Sequence, residues 1–350
     1  MTVNKEIRIV VVDDSQTARE LLVALYESAG FRVVGVGKNG EDALQLVVKH
    51  KPNIVSMDVV MPKMDGLEAT RAIMREHPTP IVIVTASLMR ADTDLAFEAL
   101  KAGALTAVQK PGIEDPETCD KLIETMRLMA SVSVIRRWSE NKPRETRQDG
   151  LSVLPEGKGV RLIGIASSTG GPGVLAQILK PLPRHFPIPI IIVQHVTNGF
   201  ALGLAEWLHE QMNLDVMLAG HGDIPKAGLV LLPPDDYHLQ VSKSGSIELS
   251  KAPPYKGLRP SANYLFNSMA RFYGASGMGI ILTGMGDDGA EGMEAMRKTG
   301  ALTFAQDEES CVVYGMPLEA VKRKAIKQSL TPDQISQYLM GMAAQRETTT

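Results

Sequence analysis

The sequence is short of the features that would tie it to a membrane, an oxidising compartment or a polyanion. It has two cysteines in 350 residues, Cys119 and Cys311, which lie far apart and match no metal-ligand spacing. That excludes a disulfide scaffold and suits a reducing compartment. The longest apolar stretch, PIPIIIV at 187–193, is far below the roughly 20 residues of a membrane span. The first residues, MTVNKEIRIVVVDD, lack the charged-then-apolar architecture of a signal segment. A formal charge of −3 gives no global attraction to nucleic acid or anionic lipid. A cytoplasmic protein with no membrane insertion and no nucleic-acid partner is expected. Aromatic residues are sparse at 5%, but 44% of the chain is apolar and 22% charged, the balance of an ordinary globular protein. Its length calls for two or three domains.

What the sequence does contain is alternation. IRIVVV, RVVGVG, NIVSMD, IVIVTA and ALTAVQK read as strands bounded by turn residues. Between the first two, Ala18, Leu21, Leu22 and Leu25 recur at helical spacing, with Ser15 placed to cap the helix. Strands alternating with helices imply a parallel sheet covered on both faces. The pattern breaks over 131–159, a polar stretch rich in Arg, Pro and Gly, with one short strand-like piece at 131–135. It resumes with VRLIGIA, PIIIVQH, GLVLLPP, MGIILTG and ALTFAQD, so a second doubly wound, mainly parallel α/β domain is expected before the polar tail QRETTT. The expected boundaries are a first domain over 1–125, a linker over 126–158 and a second domain over 159–345.

In open parallel sheets, ligands bind beyond the carboxyl ends of the strands. In the first domain those ends carry Asp13 and Asp14, Asp58, Thr85, and Lys110 followed by Pro111. Three carboxylates converging at one edge repel one another unless a cation joins them, and hard oxygen ligands of this kind suit Mg²⁺. One carboxylate can then attack a phosphoryl group while a lysine and a hydroxyl stabilise its oxygens. Any single Asp here could be a helix cap. The needed groups standing at four separate strand ends argue for a site.

The segments VVDDS, MDVVMPKMDG, VTAS and QKP resemble the response-regulator receiver family, over roughly residues 5–125. The resemblance implies a flavodoxin-like fold, Asp58 as phospho-acceptor, and Mg²⁺ bound by Asp13, Asp14 and Asp58. It also implies that Thr85 and Lys110 contact the phosphoryl group. One position departs from the family. Where receivers commonly carry an aromatic ring that moves on activation, this chain has Ala107.

In the second domain the same strand-end test finds Ser167 and Ser168 after LIGIA, His195 after PIIIVQ, and Asp287 and Asp288 after MGIILTGMG. A hydroxyl, an imidazole and a carboxylate over one sheet edge are the inventory for an activated serine. ASSTG nearly matches the G-x-S-x-G nucleophile elbow, with Ala166 in the first glycine position. A helix beginning near Pro172 adds free N–H groups and a positive dipole end. Two rivals compete for these loops. A P-loop lacks its lysine and its spacing. Gly284, Gly286 and Gly289 form a literal G-x-G-x-x-G with Asp307 about 20 residues on. Yet Asp287 and Asp288 would then face a pyrophosphate of the same sign. Physics alone does not choose between Ser167 and Ser168, and an isolated His195 could be a satisfied strand-end histidine. His238, in PPDDYHL, is a reserve candidate.

GIASSTGGP, VQHVTNGF, LRPSANYLF, ILTGMGDDGAEGM and AQDEESCVVYGMP resemble the catalytic domain of chemotaxis protein-glutamate methylesterases, the CheB family, over roughly residues 160–345. By position in those motifs the resemblance implies Ser168 as nucleophile, His195 as base and Asp288 as third triad member. Backbone N–H groups at Thr169 and Met285 are the oxyanion-hole candidates. Thr197 and Asn198 depart from the family pattern, as does SANY where S-V-D is usual. The implied reaction is hydrolysis of glutamate methyl esters on chemoreceptor cytoplasmic domains, with deamidation of glutamines through the same acyl-enzyme. The esterase reaction needs no cofactor, a chemotaxis histidine kinase is the phosphodonor, and a monomer is expected. A DNA-binding response regulator does not fit, because the second half is long, strand-rich and not basic. An inactive receiver-tethered scaffold is opposed by three filled triad positions.

Overall fold

The computed structural model describes residues 6–85, 96–100, 102–112, 115–132 and 159–347. The chain divides into two compact units, Met1–Glu140 and Asn141–Thr350.

In the first unit, strands β1 (Arg8–Val12), β2 (Arg32–Gly37), β3 (Ile54–Met57), β4 (Ile81–Thr85) and β5 (Thr106–Gln109) form a parallel sheet in the order β2-β1-β3-β4-β5. Its central strands are rich in isoleucine and valine and buried apart from Arg8 at the start of β1, as a sheet covered on both faces requires. Helices α1 (Gln16–Ser28), α2 (Gly40–His50), α3 (Gly66–Glu76), α4 (helical over 96–100) and α5 (Pro116–Ala130) follow the strands. Ser15 caps α1, accepting from the Ala18 N–H, as its position in the sequence predicts. Helix α5 takes in the first five residues of the expected linker, 126–130, because Leu122, Met126 and Met129 continue one buried stripe. Residues 133–158 of the expected linker, with most of the 131–135 piece, lie outside the described residues.

In the second unit, β6 (Leu162–Ser167), β7 (Ile190–Gln194), β8 (Asp215–Leu218), β9 (Leu229–Leu232), β12 (Gly277–Ile281), β13 (Leu302–Gln306) and β14 (Gln328–Leu330) form one parallel sheet ordered β14-β13-β12-β6-β7-β9-β8. An antiparallel hairpin, β10 (His238–Val241) and β11 (Ile247–Ser250), stands apart from it. The helices are α6 (Gly171–Leu179), α7 (Ala201–Gln211), α8 (Ala262–Phe272), α9 (Ala290–Lys298), α10 (Met316–Lys322) and α11 (Pro332–Glu347). Apolar faces of α8, α9 and α10 share one core with the central strands, through Phe266, Met269, Met293, Met296 and Met316. Helix α6 packs against α7 and α11.

Each sheet has a point where the chain reverses its direction of strand addition: between β1 and β3 in the first unit, and between β6 and β12 in the second. Loops leaving such neighbouring strands diverge and open a crevice beyond their carboxyl ends. Asp13 and Asp58 flank the first crevice, and Ser168 and Asp288 the second.

Candidate active site

In the first unit, one carboxylate oxygen from each of Asp13, Asp14 and Asp58 lies within 4.8 Å of the others. The Lys110 ammonium sits 2.6 Å from Asp13 Oδ2 and 2.7 Å from Asp58 Oδ2. The Lys110 N–H donates to the Thr85 carbonyl at 2.7 Å, which joins the ends of β4 and β5. Thr85 is buried. Burial pushes the Asp58 carboxyl up; the Lys110 hydrogen bond and charge pull it down, Asp13 pushes it up again, and the result lies above the ordinary aspartate value. Burial pulls Lys110 down, but hydrogen bonds to both carboxylates more than reverse this. Asp13 Oδ2 is buried, and among the described residues the Lys110 ammonium is its only polar partner. Three carboxylate oxygens this close, with one ammonium to offset their charge, fit a hard divalent cation such as Mg²⁺. Ala107 is buried on β5 opposite Ile83, and as an alanine it has no ring to swing.

In the second unit, successive residues of β6 point to opposite faces, so the two serines at its end differ completely. Ser167 is 0% exposed, and its hydroxyl donates to Gln194 Oε1 at 2.6 Å. Ser168 is half-buried, and among the described residues its hydroxyl has no hydrogen-bond partner. The Ser168 N–H donates to the Thr283 carbonyl at 3.0 Å and the His195 N–H to the Ser167 carbonyl at 3.0 Å, which ties the ends of β6, β7 and β12 together. His195 donates from Nε2 to Asp288 Oδ2 at 2.9 Å. That leaves Nδ1 without a partner among the described residues.

Asp288 is 2% exposed and lies at the N-terminus of α8. Besides His195, it accepts from Ser261 Oγ at 2.6 Å, the Ala262 N–H at 2.6 Å and the Asn263 N–H at 3.3 Å. Burial alone would push its carboxyl up. The hydrogen bond and charge of His195, with the Ser261 and Ala262 donors, outweigh burial and hold it below the ordinary aspartate range. Asp287, one residue earlier, points elsewhere and pairs with Lys256.

Two other sequence candidates resolve on geometry. His238 is buried, stacks on Tyr264 at 3.7 Å, accepts the Ser261 N–H at Nδ1 and donates from Nε2 to the Pro253 carbonyl. Both nitrogens are used, and burial lowers its affinity for a second proton. It holds the Ser261 turn in place. In the G-x-G-x-x-G stretch, a Cβ on Gly284 would sit 2.7 Å from Ser168 Cβ and 3.0 Å from the Ser168 nitrogen. The close approach this glycine permits is taken up by the serine loop, not by a pyrophosphate.

Residues 163–339 match the CheB methylesterase family model, and residues 9–123 match the response regulator receiver domain. A protein-glutamate methylesterase/protein-glutamine glutaminase of Nitrosospira multiformis is 40% identical over 347 residues, covering 97% of this chain and 98% of that protein. One of Syntrophus aciditrophicus is 43% identical over 345 residues, covering 96% and 98%. The chain belongs to the CheB methylesterase family. The crystal structure of the CheB methylesterase catalytic domain of Thermotoga maritima overlays with a TM-score of 0.51 at 34% identity, covering 52% of this chain and 98% of that one. Two further residues hold the site together without standing out in the sequence. Ser261 and Gln194 each hold a site residue through side-chain hydrogen bonds spanning 26–27 positions of sequence. The available signals were a polar residue ending an otherwise apolar strand, Gln194, and a serine just ahead of a helix, Ser261. Among the described residues, no helix is long and apolar enough to cross a membrane.

Proposed function

We infer that this chain is a phosphorylation-regulated protein-glutamate methylesterase and protein-glutamine glutaminase that acts on chemoreceptor cytoplasmic domains. The observation that carries the catalytic assignment is the His195–Asp288 pair standing in the same crevice as the half-buried Ser168. Family membership supplies the reaction. The geometry supports Ser168 over Ser167 as nucleophile, because the Ser167 hydroxyl is sealed from substrate and already engaged.

Ser168 Oγ attacks the carbonyl carbon of the glutamate methyl ester. Its proton passes to His195 at Nδ1, the nitrogen that Asp288 leaves open. Asp288, held ionised by its four donors, stabilises the imidazolium and fixes the tautomer. The N–H groups of Thr169 and Met285 receive the oxyanion; the first belongs to the serine loop and the second follows Gly284, which packs on Ser168. Collapse breaks the bond to the methoxy oxygen, which takes the proton from His195 and leaves as methanol. Water then attacks the acyl-enzyme, His195 again accepts the proton, and glutamate and Ser168 are regenerated. With glutamine the leaving group is ammonia, and the same acyl-enzyme is formed.

In the receiver, Asp58 is the phospho-acceptor, and Asp13, Asp14 and Asp58 are the residues that would hold Mg²⁺. When bound, the metal offsets charge on the transferring phosphoryl group. Lys110 and Thr85, at the neighbouring strand ends, contact the phosphoryl oxygens. A chemotaxis histidine kinase supplies the phosphoryl group. A cytoplasmic monomer is the state this reading assumes. The deciding experiment is methanol release from a methylated receptor fragment together with fluorophosphonate labelling. Both should vanish in Ser168→Ala, and their persistence would overturn the assignment.

A further inference from the structure

Gln194 is 3% exposed and ends β7, a strand otherwise made of isoleucine and valine. A buried primary amide is costly unless its hydrogen-bonding capacity is filled. Here it is filled entirely by the site. Oε1 accepts from Ser167 Oγ at 2.6 Å, and Nε2 donates at 2.8 Å to the carbonyl of Ser168 and at 2.8 Å to that of His195. The contact is tight enough that a Cβ on Gly171 would collide with Oε1. The Ser168 carbonyl also accepts from the Gly171 N–H at 2.8 Å.

That carbonyl shares a planar trans peptide with the N–H of Thr169, and the two point in opposite directions. Whatever grips the Ser168 oxygen therefore aims the Thr169 N–H. The far side of the next peptide is held too, since Thr283 Oγ1 donates to the Thr169 carbonyl at 3.0 Å. The other oxyanion candidate is aimed in the same manner. The Gly284 carbonyl, paired across its peptide with the Met285 N–H, accepts from the Met316 N–H at 2.8 Å and the Gly315 N–H at 3.2 Å.

We propose that Gln194 is a positioning residue for the esterase reaction: by holding the Ser168 carbonyl it orients the Thr169 N–H toward the developing oxyanion. This rests on the reading of Ser168 as nucleophile and Thr169 as oxyanion donor. Gln194→Glu keeps the shape and can still accept from Ser167, but it has no N–H to offer either carbonyl. Gln194→Met keeps the volume without polarity. Removing an oxyanion donor outright lowers kcat by about 10²–10³, so misaiming one should cost about 10–100-fold.

The test measures methanol release from a methylated receptor fragment by the full-length chain, with its pH profile, alongside fluorophosphonate labelling, whose phosphoryl oxygen seats in the same hole. In both variants kcat and labelling rate should fall together by about 10–100-fold, with KM within about twofold and the pH midpoint unmoved. Ser167→Ala, which frees the amide oxygen but leaves Gln194, should lower both a few-fold and covers the case where a Gln194 variant fails to fold. Rates within twofold of the parent in all folded variants would overturn the proposal. So would a fall accompanied by a shifted pH midpoint, which would place the effect on His195. Failure of the underlying reading shows separately, as methanol release or labelling that survives Ser168→Ala.

Discussion

Asp288→Asn separates the two tasks of one carboxylate. Oδ1 accepts from Ser261 Oγ and the Asn263 N–H; Oδ2 accepts from His195 and the Ala262 N–H. An asparagine has one acceptor oxygen, and with it turned to Ser261 the amide nitrogen faces His195 and Ala262. A buried backbone donor is then left unsatisfied, which costs about 1–3 kcal/mol. Loss of a negative charge at the start of α8 adds about 0.3–2 kcal/mol. The sum, about 1–5 kcal/mol, corresponds to a fall in Tm of roughly 3–20 °C for a unit of this size. The catalytic cost is larger. An amide N–H opposite Nε2 forces the imidazole proton onto Nδ1, the nitrogen that must accept the Ser168 proton. Turnover should fall on the order of 10³–10⁴-fold.

The pH dependence has a definite sign. The folded-state Asp288 carboxyl lies below its ordinary value of 3.8, so its stabilisation is fully present above that value and lost as pH falls through the folded one. The gap in Tm between parent and variant should stay flat from about pH 7 to 5 and narrow below about pH 4. Methanol release and thermal melting across that range check both effects. An asparagine variant that melts with the parent and turns over within tenfold of it at neutral pH would refute the reasoning.

Ser168→Ala should abolish turnover with little change in Tm, because a half-exposed hydroxyl with no partner among the described residues leaves no cavity, whereas Ser167→Ala should cost no more than about tenfold in rate and about 1 kcal/mol in stability from its buried hydrogen bond; the reverse ranking would move the nucleophile by one residue. Gly284→Ala drives a methyl group into Ser168 and Met316 and should lower kcat at least tenfold while the receiver still takes up phosphate, as read by methanol release and phosphodonor labelling. Residues 155–350 alone should be more active than the unphosphorylated full-length chain, Mg²⁺ with a small phosphodonor should stimulate the latter, and Asp58→Asn should abolish that stimulation. Equal activity of fragment and full-length protein would refute inhibition by the receiver. Because Ala107 has no ring to swing, Thr85→Ala is expected to abolish the stimulation as well, measured as methanol release with and without the phosphodonor.

The alternation of β-branched runs with helix-period segments was enough to read two parallel sheets from the sequence, because pleat and helix periodicity are local properties of the chain. The chemistry at the strand ends was legible for a related reason. A doubly wound sheet places ligands beyond its carboxyl edge, so Asp13, Asp58, Ser168, His195 and Asp288 stand out as the polar residues just past each apolar run. Periodicity does not encode strand order, and strand order sets β6 beside β12 and brings Asp288 to His195 across 93 positions of sequence. Nor could it separate two adjacent serines. Ser167 is sealed under Gln194 and Ser168 faces the crevice only because the last residue of β6 points into the packed interior and the next residue does not. Ser261, Gln194 and the use of Nε2 toward Asp288 belong to the tertiary structure for the same reason. Each is a hydrogen bond between groups remote in sequence, whose formation depends on where separate strands end once the sheet has closed.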